Sequence, residues 1–350
     1  MNGYNQKKIS IFALIFYFLL IILAVFVFSH VAELKNIVEL FKKIKPFWFI
    51  LALMAQVLTY IFTANVYYKL LSLYNHKSLI SRPDLFRVSI ITLFLSQVIP
   101  PAGLSGGSYL IHYFQKKKLP SHESFAVAIL QNSIYYFCSL LLLLFSLFYM
   151  LIVLKEKLHG ILLGVAILGI FLFVSLNIII LIFGSKRALI YISGKIAKHK
   201  WLKFFFKKIQ FSFPGQGALE GEWESPFEII KNKIHYLWRP FFWQLMEFLA
   251  DAATIFLLFC GFNFRPNFLT IMAGMILTKV VALIAISPGA LVIFEGAMVL
   301  FYSSFGIPLN LAVVVTLLFR ALSFWLPMPF GLFLFKRLSD IESQSPAQTL

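Results

Sequence analysis

Long apolar runs separated by short polar stretches dominate the chain. Runs near 9–29, 47–68, 121–151, 160–183, 240–262 and 309–335 each approach or exceed the roughly 20 apolar residues needed to cross a hydrocarbon core of about 30 Å. They predict six transmembrane helices. The first run, Ile9 to Phe28, follows Lys7 and Lys8, and its apolar core is too long for a cleaved signal, so it is expected to be retained. Two further apolar segments, near 85–115 and 267–305, are broken by Pro100-Pro101-Ala102-Gly103 and Ser287-Pro288-Gly289. Each is too short for two full crossings and predicts a re-entrant hairpin of short helices. Irregular backbone at that depth is tolerated only where protein or a wet cavity satisfies its polar groups. The expected fold is an all-α polytopic membrane protein with six spans and two re-entrant hairpins.

Sliding the chain by 188 residues pairs Pro100 with Pro288, Pro120 with Pro308, Gln56 with Gln244 and Asn75 with Asn263. The matched unit is a span, a broken hairpin and a second span. Counting crossings makes the two copies inverted, an arrangement that places a substrate site near the midplane between broken helices. The breaks are then expected to mark the deepest points of two cavities opening to opposite faces. The parts are 1–46 (first span and an outer amphipathic segment with Val31, Leu34, Val38 and Phe41), 47–151 (first repeat), 152–239 (connecting span and a polar segment), 240–337 (second repeat) and 338–350 (tail).

Composition agrees with the pattern. Of 350 residues, 60% are hydrophobic and only 13% charged, with a mean hydropathy of +0.87, too few charges to cover a soluble surface. With the N-terminus inside, 22 of the 31 Lys and Arg fall in cytoplasmic segments, seven outside and two, Lys279 and Arg320, in the membrane. This asymmetry puts both termini in the cytoplasm of a cell (inner) membrane protein. The net charge of +17 then calls for anionic lipid, at about 1 kcal/mol per basic residue near the surface, and for no nucleic acid. The longest polar excursion, 184–239, carries a basic, aromatic part (Trp201, Phe204, Phe205, Phe206 and Ile209 among lysines) expected to lie on the membrane. A flexible acidic loop with Glu220, Glu222, Glu224 and Glu228 follows.

Five charges fall inside predicted membrane segments: Glu247, Asp251, Lys279, Glu295 and Arg320. At about 2.5–3.5 kcal/mol each at a helix centre, they should face inward, paired or hydrated. Gln244, Glu247, Asp251 and Thr254 share one helix stripe; Thr316, Arg320 and Ser323 share another. In the first copy the matching stripes carry Gln56, Thr59 and Thr63, and Asn132, Tyr135 and Ser139. Three acids against two bases leave a surplus carboxylate, which could be protonated, contact a base at a cavity edge, or bind a cationic group. A structural ion-pair network is the alternative. The expected substrate-binding set is Glu295, Arg320, Lys279, Glu247, Asp251 and Asn132; the expected hairpin breaks are Pro100, Pro101, Gly103, Gly106, Gly107, Pro288 and Gly289. His112 is expected to be a hydrogen-bonded packing residue. No nucleotide-binding loop, metal-ligand cluster or nucleophile–base signature is visible, so neither cofactor, metal nor enzyme activity is expected. Cys138 and Cys260 lie within apolar runs, unsuited to a disulfide framework.

The run Ser287-Pro288-Gly289-Ala290-Leu291-Val292-Ile293-Phe294-Glu295-Gly296, then Gly306-Ile307-Pro308, then Leu317 to Pro327 with Phe319-Arg320 and Trp325-Leu326-Pro327, resembles the lysylphosphatidylglycerol synthase transmembrane-region family. Gln97 to Ser108 looks like that family's asparagine-x-x-proline and glycine-glycine-aspartate region, with Gln97 where asparagine is usual, Ser108 where an acid is usual, and Ile111 and His112 near a usual arginine. The resemblance implies a flippase-like membrane domain without the aminoacyltransferase domain. Lipid translocation is therefore the leading expectation; a non-transporting membrane subunit of a lipid-modifying system and a small-solute transporter are the alternatives. Whether it works with a partner enzyme or as a homo-oligomer is left open by the sequence.

Overall fold

The computed structural model describes residues 43–74, 76, 79–98, 104–153, 160–185, 191, 224–285 and 288–344. The expected first span at 9–29, the outer amphipathic segment, Pro100, Pro101, Gly103 and the basic stretch 186–208 lie outside the described residues, Tyr191 excepted. The helices form one compact unit that begins at Pro46.

The described residues form helices and turns, with no strand among them. Helix α1 spans Pro46–Leu71, α2 Arg82–Val98, α3 Leu104–Lys116, α4 Ser121–Ile152, α5 Gly160–Phe183, α6 Pro226–Asn232 and α7 Ile234–Gly261. Helix α8 spans Phe268–Ile284, α9 Ile293–Ser304, α10 Leu309–Arg320 and α11 Pro327–Gln344. A 3-10 turn at Pro288–Ala290 separates α8 from α9, and a π-helical turn at Ala321–Trp325 separates α10 from α11. Five stretches are long and apolar enough to cross a membrane: 46–74, 121–152, 160–182, 234–261 and 309–335. They match five of the six expected spans, so the protein is multi-pass. The last helix runs to Gln344, beyond the expected span end at 335.

Both apolar segments with central breaks fold as two short helices, α2 with α3 and α8 with α9. Close packing holds each pair. A Cβ on Gly106 would lie 2.5 Å from the Thr92 carbonyl oxygen, and one on Gly274 would lie 2.3 Å from the Tyr302 ring. The buried Tyr302 hydroxyl donates to the Ile271 carbonyl at 3.1 Å. Helix α1 lies against α7 in the most extensive helix–helix contact, and the turn Pro288–Ala290 rests on α2. Helix α5 presents Ile161, Ile167, Phe171, Ile178 and Ile182 outward, the signature of a lipid-facing surface when the neighbouring solvent is hydrocarbon.

The expected flexible acidic loop is corrected in part. Ser225 and Glu228 form a reciprocal capping box: the Glu228 amide donates to Ser225 Oγ, and the Ser225 amide donates to Glu228 Oε2. Glu224 pairs with Lys233. Two orphan amides at a helix start are satisfied this way, so residues 224–232 are a built element.

Candidate functional site

A cavity of about 360 Å³ lies among the helices, a size typical of small-ligand sites. Its wall draws on both hairpins: Ser96 and Gln97 of α2, Gly106 and Gly107 of α3, Lys279 of α8, and Gly289 and Ala290 of the second break. Pro100 and Pro101, expected at the deepest point of one of two cavities, lie outside the described residues. The second break packs against the inbound arm of the first hairpin, so the flanks of both breaks share one space. Gln97 Nε2 also donates to the Ser323 carbonyl at 3.4 Å, joining the first hairpin to the last span.

Four of the five intramembrane charges line this space: Glu247, Asp251, Lys279 and Arg320. Lys279 Nζ donates to Asp251 Oδ2 at 2.9 Å and sits 4.5 Å from the Phe248 ring centre and 5.9 Å from that of Tyr135. Arg320 Nε donates to Glu295 Oε1 at 2.5 Å, and Arg320 Nη2 donates to the Gly289 carbonyl at 2.8 Å. Phe294 and Phe324 lie 4.6 and 4.3 Å from the guanidinium carbon. Each cation thus has one carboxylate and two aromatic faces, which offset the cost of desolvation. Arg320 is only 5% exposed.

Glu295 is not part of the wall; it acts on the site through Arg320. Glu247 is the surplus acid. Its partner is Gln244, whose Nε2 donates to Glu247 Oε2 at 2.7 Å, and no described base forms an ion pair with it. Asn132 lines the cavity while its amide donates to the Ala128 carbonyl at 2.9 Å. Of the stripe residues, Gln56, Thr59, Thr63, Tyr135 and Ser323 are in the wall. Thr254, Ser139 and Thr316 are not: the first two return their hydroxyls to Ala250 and Tyr135 carbonyls. Tyr60, Tyr67, Ser89, Thr92, Gln131 and Tyr136 also line the cavity, with no sequence signal stronger than their polarity.

Gly289 has φ +59° and ψ 15°, Ala290 φ +52° and Val292 φ +71°. Positive φ is uncommon for an alanine and an outlier for a β-branched valine, so the second break is strained. At this break the Gly289 carbonyl accepts from Arg320 Nη2. Gly107, where a Cβ would meet nothing nearer than Asn132 Nδ2 at 4.0 Å, faces open space, whereas Gly106 is a packing residue. Three polar wall atoms, Gln56 Oε1, Tyr60 OH and Gln97 Oε1, are buried without a protein partner. Such atoms are rare in a finished core and suit a site for a polar ligand. No group of three metal-ligating side chains occurs among the described residues.

The comparisons follow the same lines. The model of a family described as the lysylphosphatidylglycerol synthase TM region matches residues 11–331. A protein of Methanocaldococcus jannaschii described as a UPF0104 membrane protein is 24% identical over 319 residues, covering 89% of this chain and 92% of the relative. No solved structure matches the chain.

Proposed function

Because the chain belongs to the lysylphosphatidylglycerol synthase transmembrane-region family, we propose that it translocates a phosphate-bearing lipid between leaflets, the headgroup passing through the cavity between the two hairpins. The observation that carries this reading is the convergence of both broken hairpins on one cavity whose wall contains Arg320 and Lys279. A solute carrier can use a compact sealed site, but a lipid headgroup needs polar partners at membrane depth while its tails remain in hydrocarbon.

The helix bounds support a repeat, whose inversion rests on the count of crossings. Moved by 188 positions, Pro46 falls on Ile234, Lys116 on Ser304 and Ser121 on Leu309, all of which are bounds of the corresponding second-copy helices. In such a frame the site lies near the midplane. A phosphate entering the cavity competes with Glu295 for Arg320, whose planar fork suits two phosphate oxygens. The wall amides and hydroxyls take the rest of the headgroup. The orientation with cytoplasmic termini in a cell membrane rests on the distribution of Lys and Arg.

The test is movement of chain-labelled phosphatidylglycerol in reconstituted vesicles. Arg320→Ala should slow it about 10–100-fold, equivalent to roughly 1.5–3 kcal/mol for hydrogen bonds to a charged group. Glu295→Gln should slow it too, and Arg320→Lys should restore only part of the rate. If Arg320→Ala/Glu295→Gln moves lipid at the wild-type rate, the pair is structural and the reading of Arg320 as the phosphate site is wrong.

A further inference from the structure

The ionisable groups of the cavity do not balance. Lys279 is matched by Asp251 at 2.9 Å and Arg320 by Glu295 at 2.5 Å. Glu247 stands in the same wall with only a neutral amide, Gln244, at 2.7 Å. Fully ionised, the five groups sum to one negative charge. A phosphodiester headgroup adds a second negative charge to a space walled by protein, where like charges are poorly screened.

The surroundings of Glu247 leave one remedy. From α1 it faces Tyr60 and Tyr67, from α4 Tyr135 and Cys138, from α8 Lys279, and on its own helix Asp251. Across the cavity stands Arg320, backed by Glu295. Lys279 bonds to Asp251 and Arg320 is the phosphate partner, so among the described residues no further cation remains to form an ion pair with Glu247. A proton can neutralise it. Gln244 Nε2 occupies Oε2, leaving Oε1 to carry it.

We propose that Glu247 is a proton-carrying carboxylate that couples lipid movement to proton movement: an anionic headgroup enters together with one proton. This rests on the translocation reading and adds its energy source. The balance is simple. The headgroup brings one negative charge to Arg320; water on the entry side supplies one proton to Glu247 Oε1. The loaded cavity keeps its net charge of minus one instead of reaching minus two. On release to the other leaflet, Glu247 returns the proton to water on that side. One anionic lipid and one proton cross together, so the transfer is electroneutral and driven by a pH gradient.

Vesicles of phosphatidylcholine with chain-labelled phosphatidylglycerol and a trapped pH-sensitive dye test this. With the wild-type protein, an imposed pH gradient should drive the labelled lipid toward the alkaline-side leaflet, about tenfold enriched per pH unit at one proton per lipid. Lipid entry should also acidify the far side. In Glu247→Gln the gradient should no longer set the lipid distribution, whatever the rate of equilibration, and the proton flux should vanish. Infrared difference spectra on adding phosphatidylglycerol should show a protonated-carboxyl stretch that is missing from Glu247→Gln. Lipid movement by the wild type without proton flux overturns the coupling while leaving translocation standing. Gradient-driven enrichment that survives in Glu247→Gln overturns the assignment to this residue. In parallel vesicles carrying chain-labelled phosphatidylethanolamine, loss of that lipid's movement in Glu247→Gln while phosphatidylglycerol movement and its proton flux stay intact would make Glu247 an ammonium site and also overturns it. No movement by the wild type at any pH defeats the translocation reading as well.

Discussion

Gly289→Ala is a sharp test of how the second break is built. Gly289 has φ +59°, a left-handed conformation that costs a residue with a Cβ about 1–2 kcal/mol. The added methyl would also lie 2.2 Å from Phe324 Cε2 and 2.9 Å from Cζ. Phe324 is 1% exposed, so its ring has little room to withdraw, and overpacking of this kind costs about 1–3 kcal/mol. The sum is about 2–5 kcal/mol. Cys138 and Cys260 are both buried, so their reactivity toward a fluorogenic thiol reagent reports unfolding during an SDS titration in mixed micelles. The steric share should appear as coupling in a double-mutant cycle with Phe324→Leu, of about 1–3 kcal/mol, while the backbone share should persist in the double variant. Gly164→Ala is the control: nothing lies within 4 Å of its Cβ position, so in mid-helix it should be neutral or stabilising by up to about 1 kcal/mol. Additive effects of Gly289→Ala and Phe324→Leu would refute the packing argument. A Gly289→Ala protein as stable as wild type would refute the strain argument too.

Gly106 and Gly107 should behave differently although adjacent. Gly106→Ala meets Ser96 Oγ and the Thr92 carbonyl and should destabilise by about 1–3 kcal/mol in the same titration. Gly107→Ala should change stability by less than about 0.5 kcal/mol yet slow lipid movement in vesicles, since its methyl projects toward Asn132 in the cavity. For orientation, single cysteines at the exposed positions Lys117 and Arg337 should be shielded from impermeant thiol reagents in intact cells, and one at Arg265 labelled. Labelling of Lys117 from outside would reverse the assignment.

Much of the architecture was legible because hydrocarbon is an unforgiving solvent. Apolar run length fixed the spans, and proline with glycine inside two short runs announced the breaks. Charge was legible for the same reason: Asp251, Lys279 and Arg320 are too costly to face lipid, and the fold turns all three into one cavity. The pairing was not legible. Asp251 and Lys279 are 28 residues apart, and helix periodicity says which face a residue occupies, not which helix it will meet. Glu295 was expected in the site yet stands behind Arg320, in the first turn of the helix that follows the strained break. Tyr60 and Tyr67 escaped notice because tyrosine is ordinary in membrane helices; only tertiary contact sets apart a packing ring from a wall residue. The part Gly106 plays in packing was not legible for a related reason. Its value lies in letting α3 approach the backbone of α2, and a bare glycine in a sequence does not say which surface comes near.

The wide turn at Ala321–Trp325 also changes how the last span is loaded. One additional residue in a turn advances everything after it by about 100°. Before the turn, α10 lies on α7 and α9; after it, α11 lies on α2, with Gly331 against Phe94 and with Met328, Leu334 and Phe335 on the Ile91, Phe94 and Leu95 cluster. The span is therefore a crankshaft, its two throws set at different angles and seated in different hairpins. Arg320 is at the bend between them. The two hairpins thus meet the last span on separate throws of one helix, and the ion pair with Glu295 stands where the throws join.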